Sequence, residues 1–336
     1  MSGNLSGNTT DGDDENPNVL SWLNIMSGCI GISGMLGNAL VCLVFLKVPA
    51  LRTLTNCLIV HQAVIDLVTS VLMVGYHFGP HISHTSDNAF GEILCRVWKS
   101  AYLLWACFLV SSLNLVVITL ERYYAIVYPL HHGSMFTPKR VTTMLVVEWL
   151  IGLVFKSFNL YVQHYDKGLC LTKKIWKSPA FGQFVGICNV CAQYLIPLTV
   201  MSVAYTRCFR ELRGSAIAPG EVHQNHSQST GLKRARKNVL KMLTMVFLAY
   251  ALCWGPNQMV FMVFCFGVPL DFSSSFYRAG VILGFINSAI NPIIYALKYK
   301  QFRRGMRIVF SFGKIEPNVT DLNITGQDQS ESGRQP

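Results

Sequence analysis

The 336-residue chain has little charge. Asp, Glu, Lys and Arg make up 13% of it, against roughly 25% in a soluble domain. Acids are the scarcer sign, 17 against 28 Lys and Arg. Low charge beside 51% hydrophobic residues and a mean hydropathy of +0.37 excludes both an ordinary soluble globule and a disordered chain. The chain has no internal repeat and no Gly-rich phosphate loop, which removes solenoids and nucleotide-driven machines. No His/Cys spacing suits a metal, and the pair His131-His132 has no Cys or acid in register. No nucleophile–base set stands out in the apolar stretches, so no enzymatic chemistry is expected. A transporter or channel would show paired broken helices, inverted repeats or a ring of pore charge; one buried acid and no repeat argue against it. Nothing basic precedes the first apolar run, so no cleavable signal peptide is expected.

What the sequence does have is long apolar runs. A helix crossing the hydrocarbon core needs ~20 apolar residues. Runs near 21–47, 54–77, 95–127, 141–163, 180–207, 238–266 and 275–297 qualify, though polar residues interrupt the third and fifth. The expected fold is an all-α membrane protein, a seven-transmembrane helix bundle. Most bases, among them Arg52, Lys139, Arg140, Arg236, Arg303, Arg304 and Arg307, fall on the side that holds the C-terminus. That side is therefore expected in the cytoplasm. The remaining bases, including Arg96, Lys99, Lys156 and Lys167, count toward the outer side. The first residues agree, with Asp11, Asp13, Asp14 and Glu15 and glycosylation sequons at Asn4 and Asn8. The net charge of +11 is thus mostly a topology signal, and no nucleic-acid partner is expected. The expected organisation is a disordered N-terminus over 1–18, a membrane domain over 19–312 with a cytoplasmic loop near 208–237, and a disordered tail over 313–336.

Most of the 11 cysteines sit inside apolar runs as small buried hydrophobes, for example Cys42, Cys107 and Cys253. Cys95, at the outer mouth of the third run, and Cys170, in the loop after the fourth, face an oxidising exterior. They are expected to pair.

Ionisable and strongly polar residues inside a span are costly and mark function. Asp66 sits in the middle of the second run with no base beside it. Ser111, Ser112 and Asn114 lie in the third run, and Asn287, Ser288 and Asn291 in the seventh. If these helices face one another, their oxygens form one pocket. Two readings then stand: a hydrated hydrogen-bond network that holds helices together, or a site for a hard monovalent cation. Glu121, Arg122 and Tyr123 close the third run at its inner face, where adjacent opposite charges can pair while water reaches them. Pro197, Pro256 and Pro292 interrupt the last three spans, and each removes a backbone hydrogen bond. Such breaks survive in a bilayer where neighbours satisfy the freed carbonyls.

Together these pieces resemble a rhodopsin-like (class A) G-protein-coupled receptor across most of residues 20–310. The matching residues are Gly37-Asn38, Ala63 with Asp66, Cys95 with "ERY", Trp149, Pro197 with Tyr205, "CWGP" and "NPIIY". Phe302 lies in a basic stretch similar to the family's short helix on the inner leaflet, where Arg303, Arg304 and Arg307 would meet anionic membrane lipids. The resemblance implies a plasma-membrane receptor that answers an extracellular ligand and engages a heterotrimeric G protein and arrestin. It implies an allosteric sodium ion held by Asp66, Ser111, Asn287, Ser288 and Asn291, with Trp254 as roof and no other cofactor. It also implies an activation switch comprising Glu121, Arg122, Tyr123, Tyr205, Trp254, Pro256, Pro292 and Tyr295. Arg236 stands where an acid could clamp Arg122, so basal signalling is expected. Two departures from the family pattern stand out. Cys95 lies two residues further from Arg122 than usual, so the start of the third helix should be wound differently. His61 replaces an asparagine and should still reach the Trp149 indole.

Within the family, amine receptors place an aspartate where this chain has Leu104, and visual opsins a lysine where it has Phe285. The expected outer cavity is lined by Leu104, Trp105, Phe108, Asn257, Gln258, Phe261 and Tyr277. "CWGPNQ" resembles peptide receptors of the galanin and kisspeptin kind, which makes a neuropeptide the expected ligand. The basic outer loop, with Lys167, Lys173, Lys174 and Lys177, leaves a lipid or small carboxylate as the alternative.

Overall fold

In the computed structural model, seven helices are long and apolar enough to cross a membrane. They are Asn24–Lys47, Leu54–Phe78, Ala89–Val127, Pro138–Tyr161, Pro179–Arg213, Arg236–Cys265 and Ser275–Lys298, the first to seventh spans. The structure describes residues 17–79, 87–172, 178–214, 226–268 and 274–311. The sequons at Asn4 and Asn8, the loop residues Lys173, Lys174 and Lys177, and the tail lie outside these. Side chains with an oxygen start several helices. Thr53 accepts from the Asn56 N–H at 3.3 Å, Asn88 from Gly91 at 2.9 Å, and Ser274 from Tyr277 at 3.3 Å. Thr137 caps the fourth span ahead of Pro138, whose missing N–H costs nothing there.

The first span packs on the second and seventh, the third on the second, fourth and fifth, and the sixth on the seventh. Phe108, Leu115, Tyr205, Leu243, Tyr250, Trp254, Phe285 and Tyr295 form a continuous core between them. Leu36, Val154, Leu252 and Leu297 stay on the outside, where lipid is their solvent. After the seventh span the chain turns into a short helix, Lys300–Phe310. Phe302 anchors it against Phe45, with ring centroids 6.0 Å apart.

The third span is the least regular. It runs as a π-turn over Leu94–Lys99, breaks at Ala101, and resumes as an α-helix at Tyr102. Ala101 takes φ 51°, a left-handed conformation that costs an L-residue about 1–2 kcal/mol. The Ser100 hydroxyl supports the joint, donating to the Arg96 carbonyl at 2.5 Å and accepting from the Tyr102 N–H at 3.2 Å. The altered winding expected from the position of Cys95 is present, and its form is this π-turn and joint. The outer loop carries a hairpin not expected from the sequence. Strand β1, Gln163–Asp166, pairs antiparallel with β2, Leu169–Thr172. Its turn residues Lys167 and Gly168 both have positive φ, the geometry that a tight two-residue hairpin demands. The expected Cys95–Cys170 disulfide ties this hairpin to the π-turn, and Lys99 Nζ donates to the Cys170 carbonyl at 2.6 Å.

Two of the prolines leave carbonyls that neighbouring helices satisfy. Pro292 offers no N–H to the Ser288 carbonyl one turn back. Asn38 Nδ2, from the first span, donates to it at 2.8 Å. Gly37 makes this approach possible, because a Cβ there would meet Pro292 at 3.0 Å. Pro197 likewise offers nothing to the Gln193 carbonyl, and the Tyr250 hydroxyl of the sixth span donates to it. In return the Tyr194 hydroxyl donates to Ala251 O at 3.1 Å, one residue before the carbonyl freed by Pro256. The fifth and sixth spans are therefore cross-bonded by two tyrosines pointing in opposite senses.

Orphaning a buried carbonyl costs about 1–3 kcal/mol. Tyr250→Phe removes the donor to Gln193 O and should lower the melting temperature of the purified protein clearly. Tyr194→Phe should lower it less, because the Gly255 N–H remains the regular helical donor for Ala251 O. Thermal melts of the two variants in lipid nanodiscs check the order, and equal losses would count against the proline argument.

Candidate functional site

The polar residues of the second, third and seventh spans meet around Asp66, which is fully buried. Asn291 Nδ2 donates to its Oδ2 at 2.9 Å and Ser111 Oγ to its Oδ1 at 3.2 Å. A third donor, Gln62 Nε2 at 3.1 Å, was missed from the sequence. The signal was there, because Gln62 sits four residues before Asp66 on the same helix face. Asn287 and Ser288 are buried nearby on the seventh span. Asn287 Oδ1, Ser288 Oγ, Asn291 Oδ1, Asn38 Oδ1 and the Tyr295 hydroxyl are buried without a hydrogen-bond partner. Lone-pair oxygens without donors beside a carboxylate suit water or a hard cation.

Gln62 extends the site into a chain of donors. Trp149 Nε1 donates to His61 Nε2 at 3.1 Å, so the expected indole contact exists. An indole nitrogen only donates, so His61 Nε2 is the accepting nitrogen and Nδ1 carries the hydrogen. Nδ1 lies 3.1 Å from Asn114 Oδ1. Asn114 Nδ2 donates to Gln62 Oε1 at 2.8 Å, and Gln62 Nε2 donates to Ser111 and to Asp66. Every link from the fourth span to Asp66 therefore runs donor to acceptor in one direction. The chain aims positive dipole ends at the carboxylate and favours its charge. Glu148 is buried beside it, its Oε2 3.8 Å from His61 Nδ1. Glu148, an acid inside the fourth span, carries the same sequence signal as Asp66 and was missed from the sequence.

At the inner face, Arg122 donates through Nε and Nη2 to both oxygens of Glu121. Thr55 Oγ1 lies 3.3 and 3.2 Å from the same oxygens, and His132 Nε2 is 2.9 Å from Oε1. The Glu121 side chain has no exposure and the Arg122 side chain is 19% exposed, so water reaches this pair from the arginine side only. His132 is also corrected: it does have an acid in register, reached by the turn of helix over Pro129–Met135. The sixth span contains no acid, and no residue of it bonds Arg122 among the described residues. The other switch residues stand apart. The Tyr205 hydroxyl lies 3.0 Å from Thr119 Oγ1, the Tyr295 hydroxyl has no partner, and the Tyr123 hydroxyl accepts from Arg207 at 3.4 Å. The geometry does not bring Arg122, Tyr205 and Tyr295 into one network.

Toward the outer end, Trp254 packs edge-on against Phe108, with centroids 4.9 Å apart, and Phe108 stacks on Phe285 at 5.6 Å. Trp105 adds an edge contact to Phe108 at 5.9 Å. Leu104 is buried, whereas Trp105, Phe261 and Tyr277 are half-buried. Asn257 Nδ2 and Gln258 Oε1 are buried without partners. Lys156, counted with the outer surface from the sequence, is instead buried inside the bundle.

This architecture is that of a seven-transmembrane receptor. The family model described as 7 transmembrane receptor (rhodopsin family) matches residues 37–295, and the chain belongs to that family. It is a multi-pass receptor of the plasma membrane rather than an enzyme. It is 30% identical over 292 residues to the rat (Rattus norvegicus) galanin receptor type 2, covering 86% of this chain and 75% of that one. Galanin receptor 2a of Danio rerio is also 30% identical, over 86% of this chain and 77% of its own length. The histamine H2 receptor of Canis lupus familiaris matches at 30% over 86% of this chain and 79% of its own.

Trp149→Phe keeps the ring and deletes the N–H that fixes the His61 tautomer. Nitrogen-15 solid-state NMR of labelled histidine should show a hydrogen on Nδ1 of His61 in the wild type and a gain of the Nε2–H form in the variant. An unchanged tautomer would break the donor-chain account.

Proposed function

We propose that this receptor binds an extracellular peptide and activates a heterotrimeric G protein at its cytoplasmic face. Leu104 carries the peptide reading over an amine. An amine ligand needs a carboxylate partner, and the third span offers only a buried leucine at that level. A peptide, by contrast, brings backbone C=O and N–H groups to the unpartnered Asn257 Nδ2 and Gln258 Oε1, above an aromatic floor of Phe108, Trp254 and Phe285. Galanin receptors among the relatives support this reading, and the histamine receptors do not outweigh the missing acid. Screening amidated peptide libraries on cells that carry chimeric G proteins tests it. Activation by biogenic amines alone would overturn it.

Arg122 is the coupling residue in this proposal. Among the described residues its guanidinium bonds Glu121 alone, and the sixth span offers no acid. Outward movement of that span therefore breaks no ion pair with Arg122, and the receptor signals without ligand. Arg122→Ala should remove G-protein activation and leave peptide binding within about threefold, a change under 1 kcal/mol. Basal nucleotide exchange no higher than in mock-transfected membranes would contradict the first point, and intact signalling by the variant the second.

Asp66, Ser111, Asn287, Ser288 and Asn291 are proposed to hold sodium. The partnerless oxygens of Asn287, Ser288 and Asn291 fit that ion, and binding requires the Asn291 amide to turn its oxygen inward. Asp66→Asn should remove most of the effect of sodium on agonist affinity in radioligand competition. A salt response equal to wild type would exclude the ion site.

A further inference from the structure

The sequence of the fourth span places Lys156 one and a half turns before its outer end at Tyr161. A lysine so close to the surface ordinarily extends its amine to water. This one does not. Lys156 is 2% exposed, and Nζ donates at 2.5 Å to Asn189 Oδ1 and at 2.5 Å to Gln193 Oε1 of the fifth span. Among the described residues no carboxylate pairs with it; the acids that meet a base there lie against others, Glu148 against the neutral His61, Glu92 against Arg96, and Glu121 against Arg122 and His132. Glu148, the acid of its own span, is eight residues away, about 12 Å along the helix. A base inside a membrane span normally has a counter-charge or lies on a substrate route.

The two carboxamides turn their oxygens to the ammonium, so their NH2 ends point elsewhere. Gln193 is fully buried, and its Nε2 has no partner. A cation at the oxygen end polarises an amide and strengthens its N–H as a donor. The ammonium has three hydrogens and has placed two. The remaining Lys156 hydrogen and the Gln193 NH2 thus both call for an acceptor with negative charge. The frame around them is fixed. Gln193 lies in a π-turn over Cys191–Leu195, and its own carbonyl is held by Tyr250. Asn189, one turn nearer the outer end, is half-buried.

We propose that Lys156, Asn189 and Gln193 form a buried subsite for the carboxylate of a ligand, between the fourth and fifth spans. One lysine and two amides balance one negative charge, which suits a carboxylate over a doubly charged phosphate. The carboxylate belongs either to an acidic or C-terminal group of a peptide or to a free carboxylic acid. The proposal rests on the receptor reading only in assigning that group to the activating ligand.

The test is thermal stability of the purified full-length receptor in nanodiscs. The probes are octanoate beside octan-1-ol, and an acetylated tri-leucine with a free C-terminus beside its amide. At least one carboxylate should raise the melting temperature saturably, and its neutral partner should not. Which carboxylate does so identifies the source. Lys156→Met should weaken the effect at least tenfold. Because that variant can misfold, Gln193→Glu provides the second arm. It sets a carboxylate beside the ammonium, so it should melt above wild type and ignore both probes. The proposal is overturned if neither carboxylate stabilises, if the neutral partners act equally, if Lys156→Met responds like wild type, or if Gln193→Glu melts lower. G-protein nucleotide exchange is measured on the same samples. A carboxylate effect without any exchange keeps the subsite and removes the signalling reading, and peptide-driven exchange without a carboxylate effect does the reverse.

Discussion

In a bilayer a backbone carbonyl without a donor has no water to turn to, and two of the three prolines that interrupt the last three spans leave carbonyls that other helices satisfy. Asn38 reaches across from the first span to Ser288 O, and Tyr250 reaches from the sixth to Gln193 O. These contacts make the breaks tolerable and tie each broken helix to a particular neighbour. Gly37 is bare because Pro292 comes to rest against it. Tyr194 and Tyr250 cross between the same two helices, so the fifth and sixth spans move with reference to one another. The hinges that a signalling bundle needs are thus also its joints.

The polar interior obeys the same rule with side chains in place of carbonyls. Asp66 is surrounded by three donors, Gln62, Ser111 and Asn291, and the first two are themselves oriented by earlier donors, back to an indole on the fourth span. Reversing one member would set two hydrogens or two lone pairs face to face. The histidine at position 61 is consistent with this order, because its two nitrogens accept from Trp149 and serve Asn114 at once. On the seventh span the balance tips the other way, toward surplus oxygens. The two sides of Asp66 therefore differ: the side toward the second and third spans is a closed run of donors, and the side toward the seventh gives one N–H, from Asn291, and has lone pairs to spare.

The bundle was legible because hydropathy alone sets the number and length of spans, and charge asymmetry sets their direction. Asp66, Ser111, Asn291 and the Cys95–Cys170 pair were legible as residue types out of place in oil or exposed to an oxidising side, and Trp254 through the family resemblance. Partners separated by long stretches of sequence were harder to see. Thr55 and His132 look like ordinary helix-end residues until the fold sets them on Glu121. Gln62 was passed over because a single amide attracts less notice than a charge. Lys156 was misplaced for a physical reason: its distance from the helix end permits snorkelling, and only the presence of Asn189 and Gln193 on the next helix decides against it. The hairpin turn was likewise hidden, since Lys167 adopts a backbone conformation that its residue type disfavours.

Ala101 separates the third span into an upper piece fastened to the hairpin and a lower piece fastened to the core. A continuous helix would convert any insertion above it into a 100° rotation per residue of everything below. Here the winding changes before the joint and the regular helix restarts after it. The extracellular crown can thus gain or lose residues over evolutionary time while the machinery beneath keeps its angular phase.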